Sequence, residues 1–357
     1  MSDEAYITLA LVPGIGRARM DALLRTFGSA EAALSASHAS LTDLPEISPA
    51  AATAIRGADG SAGRRIQKRA AELEAAVLEP RDPRFPEALR QIPDSPTLVF
   101  AAGRLELLEA PCVAVVGSRS HTRYGAEVCR HFAGGLARAG LVVVSGMARG
   151  LDARAHQAAL DAGGGTVGVL GNGVGVIYPT SNRALYQRVR AEGCLLTEFP
   201  PGERPNAGSF PRRNRLISGL SKVTLVVEAR ERSGALITAR CATEQGRDVL
   251  AVPGPITSPV SVGCNRLIQE GAKPALGLRD VLEEYGIQLP DVPSAALPTD
   301  LSDHERRVLD ILGLGPEHVD TVASRLGQPA AETLAVLTSL EIRGLVGQEP
   351  GKLFRRP

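Results

Sequence analysis

Residues 113–119, VAVVGSR, decide the fold of this chain, because an apolar run gives way to Gly-Ser-Arg where a helix is predicted to begin. A continuous β-branched run is typical of a strand buried on both faces of a parallel sheet. Gly117 permits a sharp turn, and the free N–H groups of the next helix, predicted over roughly residues 124–139, attract an anion. Ser118 and Arg119 lie at that turn, and a guanidinium suits phosphate. The stretch predicts an anion site at a strand end.

The same pattern continues along the middle of the chain. Six short apolar runs, VAVV, LVVVS, TVGVL, CLLTEF, VTLVVEA and DVLAVP, alternate with amphipathic segments between residues 113 and 253. Such βαβ succession predicts the α/β class, with an extended Rossmann-like, doubly wound parallel sheet as the core of a domain over residues 76–288. Residues 97–100 are predicted to add an edge strand. The carboxyl ends of the parallel strands then share one rim of the sheet.

Two smaller domains are predicted to flank the sheet. Residues 1–75 form a helical, SAM-like domain in which Gly14-Ile15-Gly16 resembles the turn of a helix-hairpin-helix. That turn either holds a DNA phosphate on backbone N–H groups or serves packing alone. Residues 289–300, rich in Pro and Ala, are predicted to be a linker. Residues 301–357 are predicted to form a winged-helix-like domain whose third helix has no Lys or Arg, which favours a structural or protein-contact role there.

Composition restricts the class of protein. The formal net charge is +1, so affinity for a polyanion has to come from a local cluster of cations. The five cysteines include no C-x-x-C pair and are expected to be reduced. The first apolar run is too short for a signal peptide or a membrane span, so the chain is expected to be cytoplasmic, with no membrane partner.

Candidate ligand-binding residues follow the strand ends. After the second strand, Ser145, Gly146 and Arg149 repeat the pattern of Ser118 and Arg119. A third Ser/Gly turn opens a helix further along the chain. The remaining candidates on this rim are Asn172 in the Gly-rich loop and Ser233, Gly234, Thr238 and Arg240 at the third turn. Three such turns on one edge are hard to assign to packing alone, so the rim is predicted to bind phosphates.

The long loop that follows the fourth strand extends the predicted site. In PPGERPNAGSFPRRNR, residues 200–215, Arg212, Arg213 and Arg215 cluster with Asn214, and Phe210 precedes them. A row of guanidinium groups with one exposed ring is typical of a surface for single-stranded nucleic acid. The plain alternative is a solvated helix start.

Catalytic interpretations find less support. Gly171, Gly173 and Gly175 lack the spacing of a dinucleotide fingerprint, since Pro179 interrupts the helix start. Carboxylates near strand ends, at Asp152, Glu198 and Glu228, show no metal-binding spacing and are interpreted as groups that order loops. No catalytic residue, metal or cofactor is predicted.

Together these motifs resemble the family of DNA-processing protein A (DprA, also called Smf) over essentially the whole chain. The resemblance is carried by VAVVGSRSHTRYG, VVVSGMARGLDARAH, LGNGVGVIYP, LLTEFPPG, FPRRNRLISGLS, SGALITARCATEQGR and VPGPITSPVSVGCNRLIQEGA. It implies a non-enzymatic homodimer that binds and protects single-stranded DNA and loads RecA recombinase onto it, in natural transformation and in recombination or repair. It also implies that Leu267, Ile268 and Gln269 form the dimer or RecA contact. Glu231-Arg232 departs from the family pattern and leaves the charge of that loop open.

Two rival functions remain at this point. A Rossmann-like nucleotide-processing enzyme of the phosphoribohydrolase type would use the same phosphate pocket with Glu198 or Glu228, although its G-G-x-G-T-x-x-E pattern is absent. A nucleotide-sensing scaffold would be saturated by one mononucleotide.

Overall fold

A computed structural model describes residues 3–288, 300–313, 316–349 and 351–356. Its chain divides into two compact units, residues 1–288 and 289–357. Apart from Asp300, the predicted linker lies outside the described residues.

The first unit contains fourteen of the described helices and nine of the described strands. The helices are α1 (Glu4–Ala10), α2 (Arg17–Phe27), α3 (Ala30–Ser35), α4 (His38–Thr42), α5 (Pro49–Arg56), α6 (Ala62–Glu72), α7 (Glu87–Arg90), α8 (Arg123–Arg138), α9 (Leu151–Asp161), α10 (Arg183–Glu192), α11 (Ser209–Leu220), α12 (Gly234–Glu244), α13 (Val262–Gln269) and α14 (Leu278–Leu282). The strands are β1 (Ala75–Leu78), β2 (Val99–Gly103), β3 (Cys112–Val116), β4 (Val142–Ser145), β5 (Thr166–Val169), β6 (Cys194–Thr197), β7 (Val223–Val226), β8 (Asp248–Ala251) and β9 (Lys273–Pro274).

The nine strands form one sheet in the order β1-β2-β6-β5-β4-β3-β7-β8-β9. All neighbours from β6 to β9 are parallel, which confirms the predicted doubly wound sheet. Strands β3 and β7 are neighbours in the middle of the sheet. From β3 the chain continues to β4 on one side of this pair, and from β7 it continues to β8 on the opposite side. A ligand crevice is expected at the carboxyl ends of β3 and β7, where these connections diverge.

The predicted edge strand at residues 97–100 needs correction. The strand is β2, and it pairs antiparallel with both β1 and β6, so β1 is the strand at that edge. The sequence pattern of residues 97–100 indicates an extended segment but carries no information on whether a further strand covers it. The register places Phe100 opposite both Val77 and Thr197.

The N-terminal helices share a hydrophobic core with the sheet. Ile7, Leu9 and Met20 belong to the same buried cluster as Phe100 and Leu195. The Tyr6 hydroxyl donates to the backbone oxygen of Thr97 at 2.9 Å. The first 75 residues are therefore part of the first compact unit, and the domain boundary predicted there stays a prediction.

The second unit has the winged-helix arrangement predicted for it. Its helices are α15 (Asp303–Leu312), α16 (Val319–Leu326) and α17 (Ala330–Ile342), and its strands are β10 (Glu317–His318), β11 (Gly347–Glu349) and β12 (Leu353–Arg355). The strands form an antiparallel sheet in the order β10-β12-β11. Leu309, Val322, Leu337 and Phe354 lie in its own buried cluster.

All five cysteines are free, and Cys112, Cys129, Cys194 and Cys264 are buried. Burial raises the pKa of each of these four thiols to about 12, so they are protonated near neutral pH. In the part of the chain that the structure describes, every helix is too short or too polar to cross a membrane.

Substitution of Gly63 is expected to disturb the packing of α6 against α1. A Cβ atom at Gly63 would lie 1.9 Å from the backbone oxygen of Glu4 and 2.8 Å from Thr8 Oγ1. We expect Gly63→Ala to lower the free energy of unfolding by about 1–3 kcal/mol, because the two helices have to separate. Urea unfolding of the full chain measures the change. Gly60→Ala is the control, since its Cβ meets nothing within 4 Å. Equal effects of the two substitutions would contradict the packing argument.

Candidate nucleic-acid interface

The loops after β3 and β4 are held against each other at the carboxyl edge of the sheet. Gly150 has φ of +85°, and a Cβ there would lie 2.4 Å from the backbone oxygen of Ser118. The N–H of Leu151 donates to that same oxygen at 3.1 Å. The Ser118 hydroxyl donates to Ser120 O at 2.8 Å and accepts from Ser120 N at 3.1 Å. Ser118 therefore shapes the turn, while Arg119 is exposed beyond it.

A cavity of about 510 Å³ lies at the carboxyl ends of β3 and β7, and we call it the rim cavity. The expected crevice of the doubly wound sheet is at this place. The structure brings eight of the predicted residues together in its lining: Ser118, Arg119, Phe210, Arg213, Asn214, Ser233, Gly234 and Thr238. Ser233 caps α12 by accepting from Ala235 N at 3.3 Å, so an amino-terminal helix end borders the cavity.

A smaller cavity of about 50 Å³ shares part of this lining. Arg119, Phe210 and Arg213 contribute to both cavities. Gly146, Arg149 and Asn172 join them in the smaller one. Asn172 is buried, and its side-chain amide donates to Val176 O at 2.8 Å. Asn172 therefore holds the Gly-rich loop in place, while Arg149 is exposed.

Phe210 belongs to a group of three stacked side chains. Its ring centroid lies 5.3 Å from that of Tyr178, with the planes inclined at 34°. The guanidinium carbon of Arg119 lies 6.0 Å from the Phe210 centroid. The side chain of Tyr178 is 47% exposed. Sequence reasoning missed Tyr178, although it lies three residues after Gly175 and beside Pro179.

Arg213 is a buried cation underneath the rim. Only 4% of its surface is exposed. Its Nη1 donates to Gly146 O at 2.6 Å and also to Val169 O, and its Nε donates to Asn214 Oδ1 at 3.2 Å. Burial lowers its pKa to about 10, against the attraction of Asp152. Arg213 thus ties α11 to the ends of β4 and β5.

Asp152 and His156 complete this buried polar layer. Asp152 accepts from Gly146 N at 3.2 Å, and burial raises its pKa despite the nearby Arg213. His156 Nδ1 lies 2.7 Å from Thr166 Oγ1, which itself donates to Val143 O at 2.6 Å. The imidazole therefore donates from Nδ1. Burial, followed by repulsion from Arg213, lowers its pKa to about 3, so the ring is neutral near neutral pH.

Glu228 anchors the loop that carries Arg119. One carboxylate oxygen accepts from Thr122 N at 3.0 Å, and the other accepts from the Thr122 hydroxyl. Thr122 in turn caps α8 by accepting from Gly125 N at 3.0 Å. The prediction that Glu228 orders a loop is confirmed.

Four predicted residues lie outside both cavities. Ser145 is buried within the sheet and donates to Val115 O at 2.7 Å. Arg240 is exposed on α12 without lining either cavity. Arg212 and Arg215 lie on another face of α11, where both pair with the carboxylate of Glu198. The sequence suggested that Arg212, Arg213 and Arg215 form one cluster. In the structure only Arg213 lines the rim cavity, whereas Arg212 and Arg215 pair with Glu198.

Two cations that were not predicted from the sequence also line the rim cavity. Arg230 and Arg232 line it, both exposed, in the loop between β7 and α12. Residue 232 is part of the departure from the family pattern noted in the sequence. Both residues follow β7, whose carboxyl end lies at the rim, and this position is the sequence signal by which they can be predicted.

The segment expected to make the dimer or RecA contact lies on α13. Leu267 and Ile268 are partly buried against the sheet core, and Gln269 is exposed. None of the three lines the rim cavity. Among the described residues, no group of three or more His, Cys, Asp or Glu side chains could hold a metal ion.

Comparison with known proteins places this geometry in a family. A family model described as DNA recombination-mediator protein A matches residues 76–286. A DprA winged-helix model matches residues 292–352, and a SAM-like helix-hairpin-helix tandem model matches residues 6–56. Protein Smf of Escherichia coli is 43% identical over 287 residues, which cover 78% of this chain and 77% of that protein.

Two solved structures are similar over most of their own length. The X-ray structure of DNA processing protein A from Streptococcus pneumoniae has a TM-score of 0.70 and 35% identity, and it covers 81% of this chain and 99% of that one. A Helicobacter pylori DNA processing protein A, solved for its single-stranded DNA binding mode, has a TM-score of 0.54 and 29% identity. That match covers 59% of this chain and 95% of the other.

The buried His156 is expected to make the protein sensitive to acid. The folded state holds the pKa at about 3 instead of 6.5, so below about pH 6.5 the unfolded state binds the extra proton. The contribution of neutral His156 to the free energy of unfolding is complete above about pH 6.5. It declines by about 1.4 kcal/mol per pH unit as the pH falls toward 3. Urea unfolding of wild type and His156→Leu over this range isolates the contribution. A difference between the two that does not change with pH would show that the imidazole is not buried in its neutral form.

Proposed function

We propose, from the premise that this chain belongs to the DNA-processing protein A family, that it binds single-stranded DNA along the rim cavity and performs no chemical step there. The observation that carries the proposal is the lining of this cavity. It combines exposed guanidinium groups, the amino-terminal end of a helix and the ring of Phe210. That ring is partly exposed and packs beside Tyr178.

The phosphate part of the proposal rests on Arg119, Arg230 and Arg232 together with the start of α12. These three cations border one cavity. The first N–H groups of α12 add a partial positive charge, and Ser233 and Gly234 stand at that end. Because the net charge of the whole chain is only +1, this local concentration is what gives the surface affinity for a polyanion.

The preference for a single strand rests on Phe210 and Tyr178. Base stacking on an aromatic ring needs an exposed base face, which a paired and stacked duplex does not present. Tyr178 is 47% exposed beside Phe210. Ile237, 39% exposed in the same lining, adds an apolar contact for a sugar or base. The single-stranded DNA binding of the Helicobacter pylori relative supports this assignment.

The finer parts of the proposal concern partners. We propose a homodimer that protects single-stranded DNA and loads RecA onto it, in natural transformation and in recombination or repair, with Leu267, Ile268 and Gln269 at the contact. Family membership supports this. A second support is exposed apolar surface near these residues in sequence, namely Ile256, 91% exposed, and Leu276, 78% exposed.

The arrangement of carboxylates gives the enzyme alternative little support. A phosphoribohydrolase of the rival type would direct Glu198 or Glu228 at the substrate. Both oxygens of Glu228 accept hydrogen bonds from Thr122, and Glu198 lies with Arg212 and Arg215 outside the rim cavity. Release of free base from nucleoside monophosphates would restore that alternative.

Removal of the Arg119 guanidinium tests the phosphate track. We expect Arg119→Ala to weaken binding of labelled oligo-dT about tenfold, the cost of losing a charge-assisted hydrogen bond, whatever the base sequence. The slope of log K against log salt should fall by about 0.7, the value for one phosphate on a single strand. Fluorescence anisotropy at several salt concentrations measures both quantities. Arg130→Ala removes an equal charge from the exposed surface of α8 and should change neither. Identical behaviour of the two variants would refute the site.

Removal of the aromatic rings tests base stacking separately from charge. We expect Phe210→Ala and Tyr178→Ala each to weaken oligo-dT binding by about 1–3 kcal/mol while the salt slope stays unchanged, because no phosphate contact is lost. Tyr178→Phe keeps the ring and should bind as wild type does. Anisotropy titrations with oligo-dT and the matched duplex provide the comparison. If Tyr178→Phe were as weak as Tyr178→Ala, the hydroxyl and not the ring would be the binding group.

A further inference from the structure

We propose that Glu228 is a built-in anion that closes the amino-terminal end of α8 to phosphate, so that the rim accepts phosphodiesters of a strand and discriminates against phosphate monoesters. The sequence pattern predicts an anion from outside the chain at this helix end, in the turn after β3. This inference rests on the proposed single-stranded DNA binding and assigns a specificity-determining residue to the same rim.

The carboxylate of Glu228 lies where an anion binds at a helix start. It accepts from Thr122 N at 3.0 Å and from the Thr122 hydroxyl, and Thr122 is the N-cap of α8. A Cβ atom at Gly125 would lie 2.3 Å from the carboxyl carbon of Glu228 and 2.4 Å from its Oε2. The carboxylate therefore rests directly on the first turn of the helix, where backbone N–H groups and the helix dipole favour negative charge.

This negative charge comes from a distant part of the chain. The first turn of α8, residues 123–126, contains no acidic residue of its own. Glu228 follows β7 and stands 106 positions after Thr122. Glu228 is only 3% exposed, whereas Thr122 and Tyr124 at the same helix end are exposed. An anion is thus already in place at α8, beneath a surface that is open to solvent.

The turn after β4 is filled in the same way. The carboxyl group of Asp152 accepts from Gly146 N at 3.2 Å, and the backbone of Gly117 and Ala148 also hydrogen-bonds to it. Asp152 is 7% exposed. Gly117 and Gly146 are the glycines of the first two Ser/Gly turns. Both turns therefore direct N–H groups at carboxyl groups of the protein itself.

The start of α12 differs from these two turns. Its first turn, residues 234–237, consists of Gly, Ala, Leu and Ile, and its cap is the neutral hydroxyl of Ser233. This helix start lines the rim cavity together with Arg230 and Arg232. A phosphate of the strand is therefore expected at α12 and at the guanidinium groups beside it, while α8 keeps its own carboxylate.

The charge of Glu228 separates two chemical classes of phosphate. A phosphodiester within a strand carries one negative charge, whereas the monoester of a free mononucleotide carries nearly two at neutral pH. Repulsion grows with the product of the charges, so the carboxylate opposes a monoester about twice as strongly. Ser120, two positions before Thr122, lines the rim cavity, which brings this charge to the border of the site. Guanidinium groups without a free helix end at α8 then suit a chain of diesters.

Inorganic phosphate tests whether Glu228 occupies an anion position. Glu228→Ala removes the carboxylate and frees the donors of Thr122, whereas Glu228→Gln keeps the volume and an acceptor oxygen. For a dissociation constant of about 1 mM, about 10 mM phosphate should raise the melting temperature of Glu228→Ala by about 2 °C more than that of wild type. Glu228→Gln should respond as wild type does. Glu244→Ala is the matched control, because it removes an equal charge from the exposed carboxyl-terminal end of α12.

Competition with labelled oligo-dT measures the selectivity itself. The competitors are thymidine 5′-monophosphate, a monoester, and TpT without a terminal phosphate, a diester. We expect Glu228→Ala to strengthen the monophosphate relative to TpT about fivefold, the size of a helix-terminus anion contact. Glu228→Gln should shift this ratio about twofold, because it removes the repulsion and leaves the position filled. The ratio is insensitive to loosening of the Arg119 loop, since both competitors meet that loop.

Other outcomes overturn the inference in recognisable ways. If Glu228 serves only as a loop anchor, both of its substitutions lower the melting temperature and neither changes the phosphate response or the competitor ratio. An equal shift in Glu244→Ala would assign the effect to net charge. An equal phosphate response of Glu228→Gln and Glu228→Ala would exclude occupation of the helix end. Failure of wild type to bind oligo-dT would instead refute the proposed function, and the phosphate response of Glu228→Ala would still test the built-in anion.

Discussion

The buried guanidinium of Arg213 is the interaction on which the arrangement of the rim depends. A cation removed from water needs full hydrogen bonding and an opposite charge nearby, and here backbone oxygens of Gly146 and Val169, with Asp152, provide them. These partners come from the loop after β4, the end of β5 and the start of α9. Since Arg213 belongs to α11, its solvation fixes that helix against the strand ends.

The orientation of α11 then distributes the remaining groups. With Arg213 directed into the protein, Phe210 faces the rim cavity, and Arg212 and Arg215 pair with Glu198 on another face of the helix. Phe210 lies between Arg119 and Tyr178, so a ring from α11 meets a cation and a phenol from two loops. Glu228 holds the Arg119 loop from below through Thr122, which leaves the Arg119 side chain free to extend into solvent. A rigid support under exposed cations lowers the entropy lost when a flexible strand binds.

The N-terminal helices pack on the sheet through a shared hydrophobic core. Their core is continuous with that of β2 and β6, through residues such as Leu9 and Phe100. The Gly14–Gly16 turn is consequently held beside α11 within one compact unit.

Much of the fold and part of the site followed from the sequence, because both depend on local patterns. Six apolar runs separated by helical segments determined a doubly wound sheet, and the topology of such a sheet places the ends of its parallel strands on one rim. Ser118, Arg119 and Ser233 could be assigned to that rim for this reason. Only the tertiary structure decided which cations face the rim cavity. Arg212, Arg213 and Arg215 are near neighbours in sequence, but the helix turns about 100° per residue, so burial, ion pairing and exposure are divided among them. The tertiary structure also decided the position of Tyr178 against Phe210 and of Gly16 against α11, since residues distant in sequence meet only when the strands are ordered and the core is packed.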